Sequence, residues 1–210
     1  MKWSILWEYR WALWSGLQIT LWISVVSIIG ATLVGALVGW LSTASNFLVQ
    51  RLTATYVEAL RNVPAVVKLF FFYFLIGLDA ITASIVSLVL HQSAYIADVT
   101  AAGLRSIPYG QREAALSCGH SEGQVFLYVL MPQAVRVVIP PLTSQYIEVV
   151  KNSAIVMLIA VQDMTFQTQQ IESETFRGFE AATAVTILYL IIALVIAGSM
   201  SGLQKLTAKP

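Results

Sequence analysis

Three groups of polar side chains stand out in a 210-residue chain that is 58% hydrophobic and only 11% charged. Glu58, Arg61, Ala65 and Lys68 recur at intervals of three and four, which puts them on one helical face. His91, Tyr95, Asp98, Ala102 and Arg105 do the same further along. Glu148 and Lys151 are three apart, and Asn152 and Ser153 follow. Such groups can pair with one another, as Glu58 with Arg61, or meet a polar solute. Catalysis asks for more. His91 and Asp98 are two turns apart with no Ser or Cys beside them, and no His, Cys or Glu cluster has metal-ligand spacing. No enzymatic activity, metal or cofactor is expected. His91 reads as a hydrogen-bonded interior histidine. No G-x-x-x-x-G-K-[ST] occurs, nor any Gly-Lys pair, so the chain lacks a phosphate-cradling loop of its own.

The elements that must hold these groups are membrane helices. Trp11–Gln50 and Ala181–Gln204 contain no Asp, Glu, Lys or Arg, and each run exceeds the roughly 20 residues that cross a bilayer core. An ionisable group at that depth is costly and is a candidate for function. Five spans fit the chain: about 16–41, 55–78, 83–104, 133–150 and 182–202. The second and fourth carry charges and prolines, and Pro64 is a candidate kink. With the N-terminus outside, Arg51, Arg105, Arg112, Lys205 and Lys209 fall inside, and Lys2, Arg10 and Arg177 outside. This predicts an N-out, C-in topology. The net charge of +1 argues against a nucleic-acid partner. The single Cys118 excludes an internal disulfide and reads as packing. The start, MKWSILWEYRW, predicts no secretory leader.

Trp3, Trp7, Trp11 and Trp14 share a face, which predicts an amphipathic interfacial helix over residues 2–14, within an N-terminal segment 1–15; the rings could instead pack on a neighbouring helix. The pairs Gly35/Gly39 and Gly198/Gly202 let helices approach closely in lipid. The first span is expected to pack tightly in the bundle or on a second subunit. Residues 16–204 then form one transmembrane domain, with a loop at 105–130 and a tail at 205–210.

That loop holds the most polar stretch, QREAALSCGHSEGQ, Gln111 to Gln124. Pro108 and Gly110 are expected to break the third span's continuation. Gln111–Cys118 has good helix formers, and Gly119 suits a left-handed stop. Ser121 with Gln124 spells a capping box. Spacing alone leaves open whether this is a docking element or an ordinary solvated loop helix.

The wording narrows the choice. EAALSCG followed by YVLMPQA resembles the cytoplasmic loop signature of bacterial ABC importer permeases. GLQITLWIS at Gly16, YVEALRNVPAVVKLFFFYF at Tyr56, AYIADVTAAGLRSIPYGQREAA at Ala94 and PQAVRVVIPPLTSQYIEVVKNSAI at Pro132 are similar to successive blocks of the polar amino acid uptake subfamily. The resemblance implies an all-α integral membrane protein with the type I ABC importer permease fold and a cytoplasmic coupling helix. It implies a bacterial cytoplasmic-membrane location. It implies four kinds of partner: a cytoplasmic ATPase dimer, a second permease subunit, a periplasmic or lipid-anchored binding protein, and the bilayer. By the same resemblance Glu113, Ala114 and Ala115 would seat in the ATPase, with Gly119 setting the turn.

The departures from the family lie elsewhere. Met131 replaces Leu before Pro132, Lys68 a neutral polar residue, Asp98 a Glu and Thr100 an Arg. The loss at Thr100 leaves Asp98's partner in doubt. VVKNSAI, LRNVP and VQDM look closest to glutamate and aspartate permeases. An acidic substrate would want Lys68, Lys151 and Asn152 for its side chain, with Asp98 and Asp163 for its ammonium. Arg61 and Ser153 complete the expected path. Permeases for glutamine, histidine or arginine, or a stand-alone secondary transporter, are the alternatives. Five spans do not easily give the internal repeat that the last would favour.

Overall fold

The two uncharged runs become two long helices. The computed structural model describes residues 3–208, and every regular element among them is helical. The first run fills α2, Arg10–Leu41, after a single turn α1, Ile5–Glu8, and its last residues run on into the start of the next helix. At 1.5 Å per residue, the 32 residues of α2 reach about 48 Å, more than the roughly 30 Å hydrocarbon core. The chain returns through α3 (Phe47–Asn62) and α4 (Ala65–Phe70), then crosses in α5 (Ala80–Arg105). The polar insert is α6 (Tyr109–Ser117) and α7 (Glu122–Gln124). Then follow α8 (Met131–Ser153), α9 (Met164–Thr175) and α10 (Gly178–Ala208).

Among the described residues four helical stretches are long and apolar enough to cross a membrane: Arg10–Leu41, Ala80–Arg105, Glu122–Ile159 and Gly178–Thr207. The second expected span is built differently, as two helices. Proline disfavours helical geometry in the residue before it and has no N–H of its own. Val63 is accordingly extended (φ −100°, ψ 127°), and the helix stops at Asn62. The Lys68 ammonium donates to the carbonyls of Leu60 and Val63, both at 2.6 Å, and so closes the freed end of α3. The last turn then widens into a π-helix over Phe71–Leu75. A second π segment, Val125–Leu130, leads into Pro132, which has no N–H for an α-helical bond.

The expected helix over 2–14 is likewise two elements. Trp7 lies in α1 and Trp11 and Trp14 in α2, with Tyr9 non-helical between them. All four tryptophan rings are exposed, and the Arg10 guanidinium lies 4.5 Å from the centre of the Trp7 ring. Lys2, Lys209 and the end of the expected tail lie outside the described residues.

The first glycine pair packs inside the chain. A Cβ on Gly35 would stand 2.7 Å from the Ser93 carbonyl oxygen of α5, so α2 and α5 meet backbone to backbone. Gly198 and Gly202 face open space. One core cluster joins Ile23, Leu69, Leu88 and Val156; another joins Leu13, Met164, Ile171 and Val185.

Beyond the third crossing, Asp163 ties α9 to its neighbours. Its side chain is fully buried and accepts from the Phe166 amide at 2.9 Å and the Tyr189 hydroxyl at 3.3 Å. Thr20 of α2 accepts from the Met164 amide alongside. Burial pushes the Asp163 carboxyl above its ordinary value. At the rim, the Tyr9 hydroxyl donates to Glu174 at 2.7 Å and holds that carboxyl below its usual range.

This packing makes an asymmetric prediction for the two glycine pairs. Gly35→Ala should destabilise the purified chain in detergent by about 1–3 kcal/mol, the usual effect of forcing an extra methyl into a filled seam. Gly198→Ala should leave the thermal midpoint of the isolated chain unchanged. Equal midpoints for both variants would contradict the seam.

Candidate functional site

On α3, Arg51, Glu58 and Arg61 recur at seven and three residues and so share a face. Asn46 starts that helix, its side chain accepting from the Leu48 amide at 2.9 Å. Opposite, α5 presents Asp98, Ala101 and Arg105. Between the two helices lies a cavity of about 710 Å³ lined by these six residues among others. The Tyr56 hydroxyl, 2.7 Å from the Ser93 hydroxyl, links the two helices beside it. At its near end Arg105 donates to the Ser42 carbonyl at 2.9 Å, which binds the end of α5 to the end of α2.

Inside the cavity Arg61 and Asp98 form an ion pair across the two helices. The guanidinium also lies 5.1 Å from the Tyr95 ring centre. The expected pairing of Arg61 with Glu58 is not formed, because α5 offers a carboxylate directly opposite. The loss of the family's cation at Thr100 does not orphan Asp98 either. Thr100 points into a separate apolar cavity with Trp40, Leu104 and Phe126, and α3 supplies the cation instead. The side chains of Arg61 and Asp98 are 45% and 46% exposed. A pair this wet stabilises little, on the order of 0–1 kcal/mol, and its partners can exchange for a solute of the same charges.

The other expected path residues lie apart from this pair. Lys68 is buried, and its ammonium is held by two carbonyls. Lys151 pairs with Glu148 at 2.9 Å on an exposed face of α8. Asn152 is half-buried, and the buried Ser153 hydroxyl donates to the Val150 carbonyl at 2.7 Å. Asp163 is consumed by the cap of α9. Of the expected path, only Arg61 and Asp98 line the charged cavity. Arg51 joins them unannounced; its seven- and ten-residue spacing to Glu58 and Arg61 was the available signal. His91 packs edge-on against Tyr95 with centroids 5.3 Å apart.

The insert forms a second, separate feature. α6 begins at Tyr109 after Pro108, so Gly110 lies within the helix and not in a break. Glu113 and Ala114 are exposed, and Ala115 is half-buried. The helix ends in a Schellman turn: the Gly119 amide donates to Leu116 at 2.9 Å and the His120 amide to Ala115 at 3.3 Å. Gly119 has φ +85°, which a side chain would strain. The Ser121 amide donates to the Gln124 side chain at 2.9 Å, and the Gln124 amide returns to the Ser121 hydroxyl at 3.4 Å. This is the expected capping box.

Similarity to known proteins extends over the whole chain. The model of the family described as "Binding-protein-dependent transport system inner membrane component" matches residues 31–209. The glutamine transport system permease protein GlnP of Escherichia coli K12 is 34% identical over 210 residues, covering 97% of this chain and 96% of GlnP. The glutamate/aspartate import permease protein GltJ of the same strain is 34% identical over 198 residues, covering 86% and 80%. A solved amino acid ABC transporter crystallised with histidines superposes with a TM-score of 0.89 at 28% identity, covering 98% of both chains.

The buried and the solvent-exposed charge should respond differently to removal. Lys68→Met leaves two carbonyls of a broken helix unsatisfied and should destabilise the chain in detergent by about 1–3 kcal/mol. Asp98→Asn should change stability by less than about 1 kcal/mol. The reverse order in chemical unfolding would contradict these assignments.

Proposed function

We propose a function from one premise: this chain belongs to the family of binding-protein-dependent transport system inner membrane components. It is the permease subunit of an ABC importer for amino acids, as its full-length likeness to amino-acid permeases supports. A separate ATPase, a second permease and a solute-binding protein complete the system. Glu113, Ala114 and Ala115 of α6 seat in the ATPase, the first two exposed, and Gly119 sets the turn behind them. That end of the bundle is cytoplasmic. Arg51, Arg105, Arg112 and Lys205 gather there, while Arg10 and Arg177 lie at the other end.

The observation that carries the transport path is the Arg61–Asp98 pair open to the cavity between α3 and α5. An amino-acid zwitterion carries one carboxylate and one ammonium. Arg61 can exchange Asp98 for the substrate carboxylate, and Asp98 can exchange Arg61 for the substrate ammonium. One ion pair becomes two, so the zwitterion passes without leaving a charge unpaired at membrane depth.

The substrate side chain follows from what remains. Lys68 and Lys151, the cations an acidic side chain would have used, are already held by backbone carbonyls and by Glu148. We therefore read glutamine first. Glutamate or aspartate is the second reading, favoured by Arg51 in the same cavity and by the VVKNSAI, LRNVP and VQDM segments.

The test is uptake by the complete complex in liposomes, with ATP on one side and binding protein on the other. Glutamine should drive uptake and stimulate ATP hydrolysis more strongly than glutamate or aspartate. Arg61→Gln should cut uptake about tenfold or more, the loss of one charge-assisted hydrogen bond of about 1.5–3 kcal/mol at its upper half. Gly119→Asp should abolish coupling while the chain still folds. Uptake confined to arginine or histidine would overturn the substrate reading, and normal uptake by Gly119→Asp the coupling one.

A further inference from the structure

We propose that Arg112 and Glu122 form a latch that makes α6 and the third membrane-crossing rod move as one body. The inference rests on the functional reading above, in which α6 receives the push of an ATPase. It concerns a different question, namely how that push leaves α6.

The geometry poses the problem. α6 carries no buried residue of its own. It is joined to the next element through the turn Cys118–Ser121, at whose centre Gly119 holds a left-handed conformation. Beyond the turn begins one helical rod, Glu122–Ile159, which is 38 residues long and crosses the membrane. α6 packs against Val125–Leu130 at the start of that rod, but the chain between them passes through a glycine hinge. The Schellman turn and the capping box fix the backbone on either side of that hinge. The bond from the His120 amide to the Ala115 carbonyl spans Gly119, but neither device ties α6 to α7 through two side chains.

Arg112 does. Its guanidinium pairs with the carboxylate of Glu122, ten residues on, across the whole turn. Arg112 leaves the first half of α6 and Glu122 is the first residue of α7, at the head of the rod. Two features pre-set the pair. Arg112 lies over the Tyr109 ring, 5.9 Å from its centre, with its guanidinium 3.4 Å from the Tyr109 hydroxyl. Glu122 sits in the first turn of a helix, where a carboxylate is favoured by the exposed amides. The side chains are 35% and 65% exposed, so the pair contributes little to folding. Its role is mechanical: it ties the first half of α6 directly to the head of α7 across the turn. Both residues are positioning residues, and neither is required to touch the substrate.

Charge reversal separates this from a direct ATPase contact by Arg112. With the complete complex in liposomes, amino acid taken up per ATP hydrolysed is measured for Arg112→Glu, Glu122→Arg and the double exchange. Each single reversal should lower that ratio at least fivefold, and the double exchange should return it to within twofold of the starting value. Single variants at the starting ratio overturn the latch, and so does a double exchange no better than the poorer single. If a single variant sheds the ATPase, recovery in the double exchange still supports the latch and its absence overturns it. A starting complex with no ATP-driven uptake would instead defeat the functional reading. The pair is then read on the chain alone, with a nitroxide on the native Cys118, which is exposed in the turn. Arg112→Gln should raise the label's mobility, and unchanged mobility overturns the pair.

Discussion

A hydrocarbon interior supplies no hydrogen bonds, so any backbone group freed there has to find its partner within the protein. The break at Val63–Pro64 is where this constraint is sharpest. Proline ends α3 in the middle of what would otherwise be a span, and the carbonyls of Leu60 and Val63 are left without amide partners. Lys68 answers both at once from the next helix. The side chain with the highest cost of burial thus becomes the closure of a helix end. It also orients α3, because α4 cannot turn away without uncovering those carbonyls. The charged cavity depends on that orientation, since Arg51, Glu58 and Arg61 all ride on α3.

The ionisable groups sort by exposure into fixtures and exchangeable sites. Lys68 and Asp163 are buried and fully engaged, the first by carbonyls and the second by the cap of α9 and the Tyr189 hydroxyl. Lys68 holds α4 to the end of α3, and Asp163 holds α9 to α10. Arg61 and Asp98 are half-exposed and bind each other where solvent reaches both. Energetically they are a weak link, and a weak link between opposite charges is what a zwitterion can open. The seam of α2 on α5, closed by Gly35, keeps the α5 wall of that cavity from shifting while the pair exchanges.

How much of this was legible in the sequence depends on how local each feature is. The uncharged runs gave α2 and α10, since length and apolarity are properties of one segment. The turn at Gly119 and the Ser121–Gln124 box are written within six residues, and both form as expected. The partner of Asp98 was not legible, because Arg61 lies 37 residues away on another helix. For Arg61, spacing suggested Glu58 instead, for the simple reason that it was near in sequence. Lys68 drew attention as a charge without a partner in its helix. Its partners are backbone atoms that become free only because Pro64 breaks the chain. Asp163 was taken for a substrate contact since nothing in VQDM reveals that Thr20 and Tyr189 close around it.

The central claim is that the cavity between α3 and α5 belongs to a path whose access is governed by ATP acting through α6. Ala54 lines that cavity and is exposed, while Cys118 is the one native cysteine. In a Cys118→Ser chain carrying Ala54→Cys, assembled with its ATPase, labelling by a membrane-impermeant maleimide tests the claim directly. The thiol should react from the α6 side of the membrane without nucleotide, and its reaction should slow when a non-hydrolysable ATP analogue is bound. A thiol that reacts from neither side, or at a rate indifferent to nucleotide, would contradict it.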